Sequence, residues 1–134
     1  MKKILLMIVA IATLSGCSML EEANDSLNYV NEATEYINEL STFAEEATSL
    51  NAAELESRLV SLKSEIEEFM ALEAPTVAED LHAELENKSQ VLLEEINTAM
   101  ENGEIAVEQL EQSEIYQTIN NITDLMKQVE NLGI

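Results

Sequence analysis

Tryptophan is absent from this 134-residue chain, and aromatic residues make up only 4% of it. Cysteine, proline and histidine occur once each, glycine three times, and Lys plus Arg number 6. Each scarcity excludes something. A single cysteine forms no internal disulfide, redox pair or thiolate cluster. Few breakers, and no segment that alternates apolar with polar residues, leave β-strands without support. So few scattered cations cannot neutralise a phosphate backbone, which excludes nucleic acid as a partner and disfavours direct adhesion to anionic headgroups. One histidine and no Gly-rich loop give too thin an inventory for acid–base, nucleophilic or phosphate chemistry, so an enzyme is not expected.

Acid is what the chain has in quantity. Asp and Glu total 27, and only Asp25, Asp80 and Asp124 are Asp. Glu favours helix where Asp does not, and its spread along the chain suits solvated helix faces rather than a disordered tail. A protein partner would then be basic or bridged by cations. The plainer alternative is that the charge only keeps the chain soluble and clear of a membrane surface.

The N-terminus carries the most specific motif. Lys2 and Lys3 precede an apolar run from Ile4 to Leu14, interrupted only by Thr13. That run is too short to span a bilayer and ends in small residues, as a secretory signal does. Leu14-Ser15-Gly16-Cys17 then reads as a lipobox. Cleavage after Gly16 would remove residues 1–16 and leave Cys17 as the new N-terminus, its sulfur carrying a diacylglyceryl group by thioether linkage. Two acyl chains anchor stably where one is marginal. The expected location is the extracytoplasmic face of the cell membrane, with no cofactor beyond the lipid. Loss of Lys2 and Lys3 takes the formal charge from −21 to −23. Residues 17–20 would form the lipidated N-terminus and tether, and 21–134 a single helical domain.

Helical periodicity runs through that domain. A first stretch, about 19–48, places Val30, Ala33, Tyr36, Ile37, Leu40, Phe43, Ala44 and Ala47 on one arc, with Tyr29 beside them. Tyr29, Tyr36 and Phe43, seven apart, read as core rather than as a ligand cage. A second stretch, about 52–72, carries a seam of Leu55, Leu59, Leu62, Ile66 and Phe69. A third, about 77–101, repeats it with Leu81, Leu85, Leu92, Ile96 and Ala99, and a fourth, about 104–131, with Ile115, Ile119, Ile122, Met126 and Val129. Asn51 with Glu54, and Thr76 with Glu79, have capping-box spacing, and Gly103 suits a helix end. A fresh start near Ser113 interrupts the fourth stretch. Short connections make sequential helices antiparallel neighbours. The expected fold is all-α: an up-down antiparallel bundle or long helical hairpins, about four helices after the cleaved signal.

Few residues suggest a site. Glu79-x-x-His82 has the spacing of a di-iron bundle ligand pair, but such sites need a second copy and His82 is the only histidine, so no metal is expected. Asn28, Asn31 and Asn38, with Asn24 nearby, fall opposite the apolar arc of the first helix. Asn costs a helix interior roughly 0.6 kcal/mol relative to Ala. With Glu35 they form a candidate contact face for a partner, against the plainer reading of a solvated surface. A small-ligand binder using a cavity between helices is the alternative to a contact protein. Neither reading specifies an oligomeric state.

The lipobox, the segment Ser26-Leu27-Asn28-Tyr29-Val30-Asn31-Glu32-Ala33-Thr34-Glu35-Tyr36-Ile37-Asn38 and the later Pro75-Thr76-Val77-Ala78-Glu79-Asp80-Leu81-His82 together resemble a group of small lipoproteins of Gram-positive, spore-forming bacteria, a domain of unknown function. The resemblance implies a helical, membrane-tethered protein and carries over no site residues. It implies a host with one membrane, where Ser18 has no sorting meaning. In a two-membrane host Ser18 would favour the outer membrane.

The thioether requires sulfur at position 17. Cys17→Ser should therefore abolish incorporation of an alkyne fatty acid into the protein in growing cells and leave the signal uncleaved. Undiminished label on the variant would refute the lipobox reading.

Overall fold

Apolar side chains recur at steps of three and four along each long segment, and the chain folds as that spacing dictates. A computed structural model describes residues 2–103 and 107–133, with residues 2–19 as backbone only. The signal peptide 1–16, Cys17 and all of the tether but Leu20 thus fall outside the described side chains. Helix α1 runs Lys2–Glu46 and ends in a 3-10 turn, Ala47–Ser49. Helix α2 spans Ala52–Met70, a second 3-10 turn Thr76–Ala78, and α3 Glu79–Glu101. Three shorter helices follow: α4 Val107–Glu111, α5 Glu114–Thr123 and α6 Met126–Asn131. There is no strand among the described residues.

Helix α1 packs on α2, α5 and α6, and α3 packs on α2 and α5. The helices therefore form an antiparallel bundle in which α1 and α3 occupy opposite corners and run parallel. The seams expected from sequence point inward. Ile37, Leu40 and Phe43 of α1, Leu55, Leu59, Leu62 and Ile66 of α2, and Leu85, Leu92 and Ile96 of α3 are fully buried. Each such side chain contributes about 1.5–3 kcal/mol on leaving water, which makes the seams the main source of stability. Lys88 falls within the α3 seam with its side chain half-buried and Nζ 3.8 Å from Glu84 Oε1.

Local signals explain most boundaries. Asn51 caps α2 as a full capping box: its Oδ1 accepts from the Glu54 N–H at 3.0 Å, and Glu54 Oε2 accepts from the Asn51 N–H at 3.0 Å. Gly103 follows α3 at φ +70°, the left-handed conformation that a glycine adopts without strain. Ser113 starts α5, its Oγ accepting from the Ile115 N–H.

Two expectations are corrected. Thr76 and Glu79 form no capping box. The Pro75 carbonyl accepts from the Ala78 N–H at 2.8 Å, so Thr76 lies inside a 3-10 turn instead of ahead of a helix. The fourth stretch breaks a second time, at Asp124–Leu125. There the Leu125 N–H bonds the Ile122 carbonyl, and the tighter i→i+3 turn rotates the following face by about one residue. Leu125 is consequently buried and Met126 only half-buried. Arg58 of α2 reaches Glu39 on α1 and Glu65 on its own helix.

Asn51→Ala should cost about 1 kcal/mol in urea unfolding of the chain without its signal peptide. Thr76→Ala should change stability by less than about 0.5 kcal/mol. Equal losses would contradict the different roles assigned to the two residues.

Candidate functional site

Two tyrosines cross the core from α1 to α3. Tyr29 Oη lies 3.0 Å from His82 Nδ1, and Tyr36 Oη lies 2.7 Å from Ser89 Oγ. Either member of each pair can donate, for His82 according to which ring nitrogen carries the proton. Phe69 of α2 binds the two pairs together: its ring stacks on Tyr36 with centroids 4.2 Å apart and lies 5.3 Å from the His82 ring. Burial pushes both phenols up to about 12. For Tyr36 the Ser89 hydrogen bond opposes that rise and the Glu65 charge adds to it. Phenols so disposed stay neutral and hold structure; they do not act as bases near neutral pH.

His82 is therefore an interior hydrogen-bond partner. Glu79 is exposed while His82 is buried, so the two do not converge on one point. Among the described residues no three His, Cys, Asp or Glu side chains gather to hold a metal. Ser89 gave no signal in the sequence, because a serine within an apolar seam reads as a solvated exception until its partner across the core is known.

Asn28, Asn31, Glu35 and Asn38 are all exposed on α1, and the fold brings them together on one outward face with Asn24 and Thr42. Beside that face lies an open cleft of about 370 Å³ between α1 and α2. Glu32, Glu35 and Glu39 line it from α1 and Glu65 and Glu68 from α2, above Tyr36 and Phe69. Arg58 bridges the two walls, with Nη2 3.1 Å from Glu39 Oε2 and Nη1 3.2 Å from Glu65 Oε1. A second cleft, of about 300 Å³, shares Glu32 and continues past Asp25, Asn28 and Tyr29 to Glu73 before Pro75. The acidic walls follow from residues at i, i+3 and i+7 flanking each seam, a pattern that says nothing until the pairing of α1 with α2 is known. Across the bundle Glu95 accepts from Thr118 Oγ1 at 3.1 Å. Burial raises its carboxyl, the Thr118 bond lowers it, and the nearby Glu114 charge raises it further.

A helical bundle behind a lipobox defines a class, the lipid-anchored lipoproteins on the outer face of the cell membrane. Residues 1–18 match the prokaryotic membrane lipoprotein lipid attachment site, and residues 29–132 match a family of unknown function, DUF6376. The chain belongs to that family. It is 36% identical over 147 aligned residues to an uncharacterized lipoprotein, YybP, of Bacillus subtilis (strain 168), with 99% of each chain covered. No solved structure matches it. The attachment site and this relative indicate a lipoprotein, and the family and the relative name no activity.

A phenol raised from 10.0 to about 12 contributes stability that is complete below pH 10 and lost as pH climbs through 12. The urea midpoint of the domain should fall over that interval. Tyr29→Phe with Tyr36→Phe should reduce the fall, although the double variant is less stable at neutral pH. An unchanged alkaline slope in the variant would disprove the burial of these hydroxyls.

Proposed function

We propose that the protein works without catalysis, as a membrane-tethered contact protein of the cell envelope held by a diacylglyceryl group on Cys17. The observation that carries this reading is the fate of the polar side chains. The one histidine and the buried serine are engaged with tyrosines inside the bundle, while Asn28, Asn31, Glu35 and Asn38 all face outward. What the chain offers to its surroundings is therefore a surface. The amide face lies next to acidic clefts, which supports a partner that is basic or that docks through bridging cations. The alternative, a small-ligand binder, has less support, because both clefts open along the helix surfaces instead of enclosing an apolar chamber.

The test replaces Asn28, Asn31 and Asn38 together by Ala. Their exposure means no buried donor or acceptor is lost, and helix propensity alone should raise stability by roughly 1–2 kcal/mol. Cross-linking in intact membranes followed by affinity capture should recover a partner with the parent chain and less of it with the variant. Undiminished recovery would show that this face makes no contact, and a clear loss of stability would show that the face is not solvated.

A further inference from the structure

We propose that the membrane-proximal part of α1 pairs with a second copy of this chain, as a short parallel helix pair centred on Leu20, Asn24, Leu27 and Asn31. This rests on the reading of the outward face of α1 as a contact surface, and adds a second occupant at its membrane-proximal end to the basic or cation-bridged partner proposed beside the clefts. The first observation is exposure. Leu20 is 74% and Leu27 50% exposed, and every residue from 20 to 28 except the half-buried Ser26 is open to solvent, so α1 enters the bundle only near Tyr29. An isolated helical segment this short is marginal in water and gains most from a packing partner.

The second observation is spacing. Leu20, Asn24, Leu27 and Asn31 follow one another at steps of four, three and four, which is a heptad seam with Leu at one core position and Asn at the other. Leu there packs against its copy, and Asn at the other position favours a two-stranded, in-register parallel pair, since its amide can bond only to the same amide of the partner. The seam does not continue upward. Thr34 and Ser41 are half-buried, and Ser41 Oγ lies 3.4 Å from Thr123 Oγ1 of α5, so the pairing is confined to residues 20–31, about 17 Å of helix.

The third observation is charge. Two molecules that each carry a formal −23 repel wherever acids face acids, yet this strip holds no ionisable residue. Its flanks are complementary in the same sense. Glu21, Asn28 and Glu35 lie on one side and Ala23 and Val30 on the other. In a parallel pair Ala23 faces Asn28 and Val30 faces Glu35 of the second copy, so no carboxylate meets another across the seam. Attachment of both N-termini to one membrane supplies the remaining requirements. It sets the helices parallel and at equal height, and it raises their effective concentration enough for two heptads to suffice.

Disulfide trapping in intact membranes of cells expressing the full chain tests this. Asn24→Cys, Leu27→Cys and Asn31→Cys are each oxidised and compared with Glu67→Cys, an exposed position on α2. The three seam variants should give a band of twice the chain's mass on a non-reducing gel and Glu67→Cys should not. Adding Leu20→Glu and Leu27→Glu to Asn31→Cys should abolish the band, with helicity by circular dichroism unchanged because both leucines are exposed. No doubled band at the seam, equal bands at Glu67→Cys, or a band that survives the Leu→Glu changes would each overturn the pairing. Trapping of a different protein without the doubled band would also overturn it, and would leave the contact function itself standing.

Discussion

The arrangement depends on a constant offset between two helices that do not touch along their backbones. Tyr29 with His82 and Tyr36 with Ser89 are both pairs separated by 53 residues, so α1 and α3 run parallel and in step over the heptad between them. Apolar packing alone would tolerate a slip of α1 along the bundle, because Leu, Ile and Ala at neighbouring heptads are similar in shape. Hydroxyls in a dry core are less forgiving. A slip would leave four polar groups buried without partners, at about 1–3 kcal/mol each. The two bridges thus convert a greasy interface into a single register, and Phe69, stacked on Tyr36 and set against His82, extends that register to α2.

Charge shapes the exterior in the same way that hydroxyls shape the interior. With so few basic residues the bundle cannot neutralise its acids by pairing, and Arg58 is the one cation that joins two helices through ion pairs among the described residues. It stands where α1 and α2 bring Glu39 and Glu65 close. The remaining glutamates of that cleft face solvent, where screening limits their mutual repulsion. The exposed side of α1 carries a strip of amides, Asn24, Asn31 and Asn38, running between exposed acids. Asn is a poorer helix former than the Glu used elsewhere, so this stretch has exchanged helix propensity for a neutral surface.

Much of the fold was legible because the seams of α2 and α3 are regular and their breakers few. Pro75, Gly103, Ser113 and the Asn51 box mark boundaries through local chemistry that a sequence displays directly. What escaped was non-local. Whether Thr76 heads a helix depends on a 3-10 turn closed by Pro75. Which of Leu125 and Met126 faces inward depends on one tightened turn at Asp124. The partners of Arg58, Ser89 and His82 depend on which helices are neighbours and which lie across the core. Of the candidate site, the outward Asn face could be read from periodicity, whereas the clefts exist only between two segments and required the pairing of α1 with α2.

Orientation on the membrane follows from the same topology. The lipid-attachment segment, residues 1–18, lies N-terminal to Tyr29 on α1, so the end of the bundle where Tyr29 sits is the end nearer the lipid. The antiparallel path brings two other features to that end. The turn between α2 and α3 lies there, since Glu73 and Pro75 share a cleft with Tyr29. The end of the described chain lies there too, with Gly133 against Val30. The capped start of α2 and the Gly103 turn then lie at the far end. The second cleft and the Asn face begin at the proximal end and extend outward along α1. A partner resting on α1 would therefore meet the protein from the side, close to the bilayer, while the distal turns remain clear. On the proposed contact reading, the tether and the strip of amides therefore lie on the same helix, α1.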